Sequence, residues 1–133
     1  MNTPLNRTIL MSSSALFMGL LGLAATFLPQ EILSSAGVGP PGTAPLIVQL
    51  SGALYLAFAM LNWMGRDNLI GGIYSRPVAI ANTLHFTMGA LALLKGVATG
   101  TAGAALLLVF AWYALFAIAF SVILFSHPTP PGA

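Results

Sequence analysis

"GAALLLVFAWYALFAIAFSVILFS" (residues 103–126) runs without a single charged side chain. A membrane helix needs about 20 mostly apolar residues to cross about 30 Å of hydrocarbon, and this stretch supplies them. Three more segments meet the same condition, at roughly 9–28, 45–64 and 78–97. Between them stand helix breakers: Pro29, "GVGPPGTAP" (37–45), "GRDNLIGGIYSRP" (65–77) and "GVATGTAG" (96–103). The pattern predicts an all-α integral membrane protein, an antiparallel four-helix bundle forming a single transmembrane domain over residues 1–133. The proline-rich end "HPTPPGA" (127–133) reads as a disordered tail.

Composition points the same way. Of 133 residues, 58% are hydrophobic and only 5% charged, where a soluble domain carries about 25% charged residues to keep its surface wet. Six ionised side chains do not cover the surface of a water-soluble domain of this length. Cysteine is absent, which removes disulfides, thiolate nucleophiles and iron–sulfur ligation. Four basic residues are too few for the patch that nucleic acid requires. The first apolar run, near 20 residues, exceeds the 7–15 usual for the core of a signal peptide, so it is expected to remain as a helix.

Orientation follows from the basic residues. Arg7, Arg66 and Arg76 fall on one side of a four-span path and Lys95 on the other. The three-Arg side is expected to be cytoplasmic, giving an N-in, C-in protein in the cell inner membrane.

Lipid gives helices no hydrophobic reason to associate; small residues and polar contacts hold them together. Each span shows such a stripe at helical spacing. The stripes are Ser12, Ala15, Gly19, Gly22 and Thr26, then Gly52, Tyr55, Ala59, Asn62 and Arg66. The third span gives Asn82, His85, Gly89, Ala92 and Gly96, and the fourth Ala114, Ala117 and Ser121 with Tyr113 flanking. With the N-terminus inside, polar groups of all four spans fall at one level of the inner half. Asn82 and His85 lie about 6 and 10 Å in from the inner end of the third span at 1.5 Å per residue.

Polar residues inside a span are costly and point first to function. Asn62, Arg66, Asn82 and His85 are therefore the candidate ligand-binding set, with Asn62 expected within reach of Asn82 or His85 and Arg66 at the rim. The plainer reading makes these bonds interhelical glue, Trp63 an interfacial belt residue and Arg66 a positive-inside anchor. His85 is also the one side chain suited to a single-ligand haem or chlorophyll, with Met or a partner chain on the opposite face. A bis-His haem fails, because His127 is about 10 Å shallower by helix rise. No metal site is expected from two His, one Asp and one Glu that are dispersed. Glu31, after Pro29, falls at the outer rim and opens a short interfacial helix "QEILSSAG" rather than a catalytic centre. The apolar loop "IGGIYSRP" (70–77) is either a plain connection or a lid on the inner-half cluster.

"FLPQEIL" (27–33), "QLSGALYLAFAMLNWMGR" (49–66) and "IGGIYSRPVAIANTLHF" (70–86) together resemble a family of small uncharacterised bacterial four-helix integral membrane proteins with a comparable "NWM…IGGIY.RP…N..HF" core. The likeness covers roughly residues 25–95 and implies four spans and a bacterial inner membrane, with no catalytic roles to carry over. A fainter likeness to DoxX-type four-helix proteins rests on size and topology. Small multidrug-resistance transporters place a carboxylate midway along their first helix, and this first span has none. Quinone-linked disulfide-forming enzymes need cysteines, and glutathione-handling membrane enzymes carry several Arg and Glu within their spans; both patterns are missing here.

Two functions fit these residues. One is an accessory subunit or factor of a larger membrane complex, or a homo-oligomer, embedded in the lipid bilayer and without a catalytic site. The other is a binding or transport module in which Asn62, Arg66, Asn82 and His85 surround a small molecule, lipid headgroup or quinone. An enzyme using His85 as acid and base has only the imidazole in its favour, since geometry with a second group must come first.

Overall fold

Among the described residues, proline opens four of the five helices. A computed structural model describes residues 4–39, 42–67, 75–100 and 103–125. Its helices are α1 (Pro4–Phe27), α2 (Pro29–Ser35), α3 (Ala44–Gly65), α4 (Arg76–Ala98) and α5 (Ala104–Phe125). Pro4 and Pro29 begin α1 and α2, while Pro45 and Pro77 are the second residues of α3 and α4. Proline's fixed φ suits the first turn, and its missing N–H is a donor that position leaves unpaired anyway. Accordingly α2, α3 and α4 start without any side-chain cap. Glycine ends two of them. Gly37 has φ +72° and Gly100 φ +70°. After α2, Val38 N–H donates to Leu33 O (2.9 Å) and Gly37 N–H to Ser34 O (3.0 Å), the two bonds of a Schellman end.

α1, α3, α4 and α5 are each long and apolar enough to cross a membrane. The expected spans thus recur as helices, and the short segment after Pro29 is helical. The expected lid falls largely on residues 68–74 and the expected tail on 126–133, both outside the described residues.

Among the described residues, those within 11–66 form one compact unit, and those within 4–10 and 67–125 a second. In the first, α1 and α3 run antiparallel: Ser14 meets Asn62, Gly19 faces Ala59, and Gln49 Nε2–H donates to Thr26 O at 3.3 Å. At the crossing the two backbones touch. A Cβ placed on Gly22 would stand 2.9 Å from Leu56 N and 3.0 Å from Gly52 O. One placed on Gly52 would stand 2.8 Å from Thr26 N and 3.0 Å from Gly22 O. The expected stripe on α1 is confirmed at Ala15, Gly19, Gly22 and Thr26, but Ser14, fully buried, takes the place of Ser12.

In the second unit α4 packs on α5. Here the small-residue stripe expected on α5 is not the buried one. Tyr113, Phe116, Phe120 and Ile123 are buried, while Ala114, Ala117 and Ser121 flank them half-buried. The facing helix explains the exchange. α4 offers Gly89 and, beside it, Phe86, whose ring lies 4.9 Å from that of Phe116, 5.3 Å from Tyr113 and 5.6 Å from Phe120. Offset and edge contacts among aromatic rings at such separations are favourable, and small residues on α5 would leave a void there.

The helix crossing gives a graded test. Gly22→Ala and Gly52→Ala should each lower stability by about 1–3 kcal/mol, the usual cost of overpacking. Gly19→Ala, whose Cβ would sit an ordinary 3.7 Å from that of Ala59, should be neutral or stabilise by up to about 1 kcal/mol through helix propensity. Unfolding by sodium dodecyl sulfate in mixed micelles, followed by circular dichroism, reads all three. Equal losses at the three glycines would show that the two backbones do not meet at Gly22 and Gly52.

Candidate functional site

Asn62 sits one turn from the end of α3 and is fully buried. Its Nδ2–H donates to Ser14 Oγ at 3.0 Å, and Ser14 Oγ–H donates in turn to Met11 O at 3.0 Å. An amide without a partner in an apolar interior costs kilocalories, so this relay is what makes Asn62 tolerable between α1 and α3. A Cβ on Gly65, one turn further on, would lie 3.3 Å from the methyl of Met11.

Arg66 closes the same helix. Its Nη1–H donates to Trp63 O at 3.0 Å, and its guanidinium carbon stands 4.0 Å from the centre of the Trp63 ring. Spacing of three residues on a helix puts both side chains on one face. The indole is half exposed, and the stack is a cation–π contact at the helix end.

Asn82 is as deeply buried as Asn62 but behaves differently. Its Nδ2–H donates to Val78 O at 2.9 Å, a bond to its own helix one turn back. His85, half-buried on the next turn, has Nε2 3.1 Å from the Tyr113 hydroxyl of α5. The tautomer decides which of the two donates. The Tyr113 ring lies across Gly89, one turn beyond His85, and any Cβ on Gly89 would collide with it. The imidazole also stands edge-on to Phe86 at 5.2 Å. Haem or chlorophyll ligation through Nε2 would have to displace the Tyr113 hydroxyl.

Two of the four expected site residues, Asn62 and Arg66, thus belong to the 11–66 unit, and Asn82 and His85 to the other. Each has a partner within its own unit: Ser14, Trp63, Val78 and Tyr113. In the sequence Ser14 is only one of three consecutive serines and Tyr113 a hydroxyl beside the α5 stripe, with nothing to mark either as a partner. Arg7, read in sequence as a terminal cation, is buried, and its Nε and Nη2 have no hydrogen-bond partner. The hydroxyls of Thr26 and Thr83 share that condition. Among the described residues no three His, Asp or Glu side chains come together to hold a metal ion.

Compared with known proteins, the chain matches no family model, no curated protein and no solved structure.

The His85–Tyr113 contact separates hydrogen bonding from packing. Tyr113→Phe keeps the ring over Gly89 and should cost about 0.6 kcal/mol, typical of one interhelical hydrogen bond in a bilayer. Gly89→Ala should cost more, about 1–3 kcal/mol, by driving α4 and α5 apart. Denaturant unfolding in detergent measures both; a larger loss for Tyr113→Phe would make the hydroxyl, and with it His85, more than a packing element.

Proposed function

We propose that this chain is a four-span integral membrane protein that acts by association, as a small accessory subunit of a larger membrane complex, and not by chemistry. The observation that carries the reading is the burial pattern of α3. Of its 22 residues only Gly52, Asn62 and Gly65 are buried. Its large apolar side chains, including Leu46, Ile47, Leu50, Leu54, Met60 and Met64, are exposed. In water that arrangement is inverted, because burial of large apolar side chains is what stabilises a soluble fold. Where lipid is the solvent it is the expected one: small and polar residues face the neighbouring helix, and large apolar ones face outward. That outward face remains to meet lipid or a partner chain.

The polar side chains support association over catalysis. Asn62 and His85 hold helix to helix, Asn82 is bonded to its own helix, and Arg66 is stacked on Trp63. A binding or transport module at Asn62, Arg66, Asn82 and His85 would ask these same groups to hold a ligand. The likeness over residues 25–95 to small bacterial four-helix membrane proteins favours a bacterial inner membrane. The Arg7, Arg66 and Arg76 side then favours cytoplasmic termini, with the four spans packed as one antiparallel bundle and α2 lying along the outer interface.

Extraction at native expression in a mild detergent, followed by sizing and identification of co-purifying chains, tests the proposal. A particle larger than one chain in its micelle is expected, with a partner in fixed stoichiometry. A sharply monomeric particle that carries no other protein would sink it.

A further inference from the structure

On the outer side of the α1–α3 pair runs an apolar cleft of about 370 Å³. Ala15, Gly19 and Ala59 form its floor, where side chains are too short to fill the space between the helices. Leu23, Met60 and Trp63 stand around it, each about half exposed or more. The cleft has a direction. It begins beside Trp63, two residues before the end of α3, and reaches Leu23 on α1. From Ala15 to Leu23 the helix rises about 12 Å at 1.5 Å per residue. Half of a hydrocarbon core of about 30 Å is about 15 Å. The cleft starts near the end of α3 and is about as long as a single leaflet is deep. Beside the cleft, stacked on its lining residue Trp63, the Arg66 guanidinium stands 4.0 Å from the centre of the ring.

We propose that this cleft binds one acyl chain of an anionic phospholipid, with the headgroup phosphate at Arg66; this rests on the membrane-spanning reading above. Three features select that occupant. The length fits an acyl chain of one leaflet, whereas a transmembrane helix would need a contact along the full span. The floor is narrow and walled by large side chains, whereas a helix about 10–12 Å across docks where small residues line the whole approach. The charge is complementary: the guanidinium stacked on the indole keeps a cation beside the cleft, of the kind that pairs with phosphate. Asp67, the next residue, is exposed and offers no apolar surface to the cleft.

Tryptophan quenching tests this on the full chain. The two indoles are Trp63 and Trp112, so Trp112→Phe leaves Trp63 as the reporter and Trp63→Phe leaves Trp112. Each protein is reconstituted into vesicles holding phosphatidylglycerol or phosphatidylcholine brominated on the acyl chain, since bromine quenches an indole it touches. Trp63 is expected to prefer the phosphatidylglycerol by about fivefold in relative binding constant, the size one basic residue gives at an anionic lipid surface. Trp112, also half exposed, is expected to show no preference. Arg66→Gln should bring the Trp63 ratio to about one while quenching itself persists, which shows that the fold is intact and the chain still in place. Equal quenching of Trp63 by both lipids overturns the proposal, because the cleft then holds only passing lipid. Absence of quenching by either overturns it too, and cross-linking then tells a second copy from another protein. Flotation with the vesicles is the separate control: protein that fails to float has failed the membrane reading itself.

Discussion

Two helix backbones touch at Gly22 and Gly52, and much of the α1–α3 pair follows from that contact. Neither residue has a side chain to hold the helices apart, so dispersion between main-chain atoms takes over the role that apolar side chains have in a soluble core. The polar bonds flank the crossing. Gln49 reaches Thr26 O on one side of it and Asn62 reaches Ser14 on the other. Moved outward by the width of a methyl group, the helices would stretch both bonds beyond useful length. Packing and hydrogen bonding here are a single geometric condition.

The four long helices were legible because each is an apolar run long enough to cross a membrane, and because proline marks where three of them start. The α1–α3 contact was legible too, since Gly19, Gly22, Gly52 and Ala59 stand out in otherwise bulky helices. The buried face of α5 was not. That helix is apolar all round, so neither period nor contrast tells which side packs; the choice falls to Gly89 and Phe86 on another helix. Likewise Ser12, Ser13 and Ser14 are equivalent as letters, and only the third has the angle to meet Asn62. The candidate site residues could be named in advance because an amide or imidazole within a span is conspicuous. Their partners could not, since Asn62 and Ser14 are 48 residues apart and the pairing exists only once the helices have crossed.

The two buried asparagines show how little residue type decides by itself. Asn62 donates across to another helix, so removing it would leave Ser14 without that donor. Asn82 donates to the carbonyl one turn back on its own helix, which already accepts a main-chain bond. The first ties two elements together; the second lowers the cost of its own burial. Arg7 stands at the far end of this range, buried with two of its nitrogens unsatisfied.

The notch at Gly89 has a consequence for assembly. Sliding α5 along α4 by one turn, about 5.4 Å, would carry the Tyr113 ring onto His85 in one direction and Leu93 in the other. Neither has room for it. The glycine is therefore a detent: an otherwise uniform apolar helix, free by composition to settle at many heights, drops into one. Two hydrophobic segments inserted one after the other would find their mutual height by shape alone.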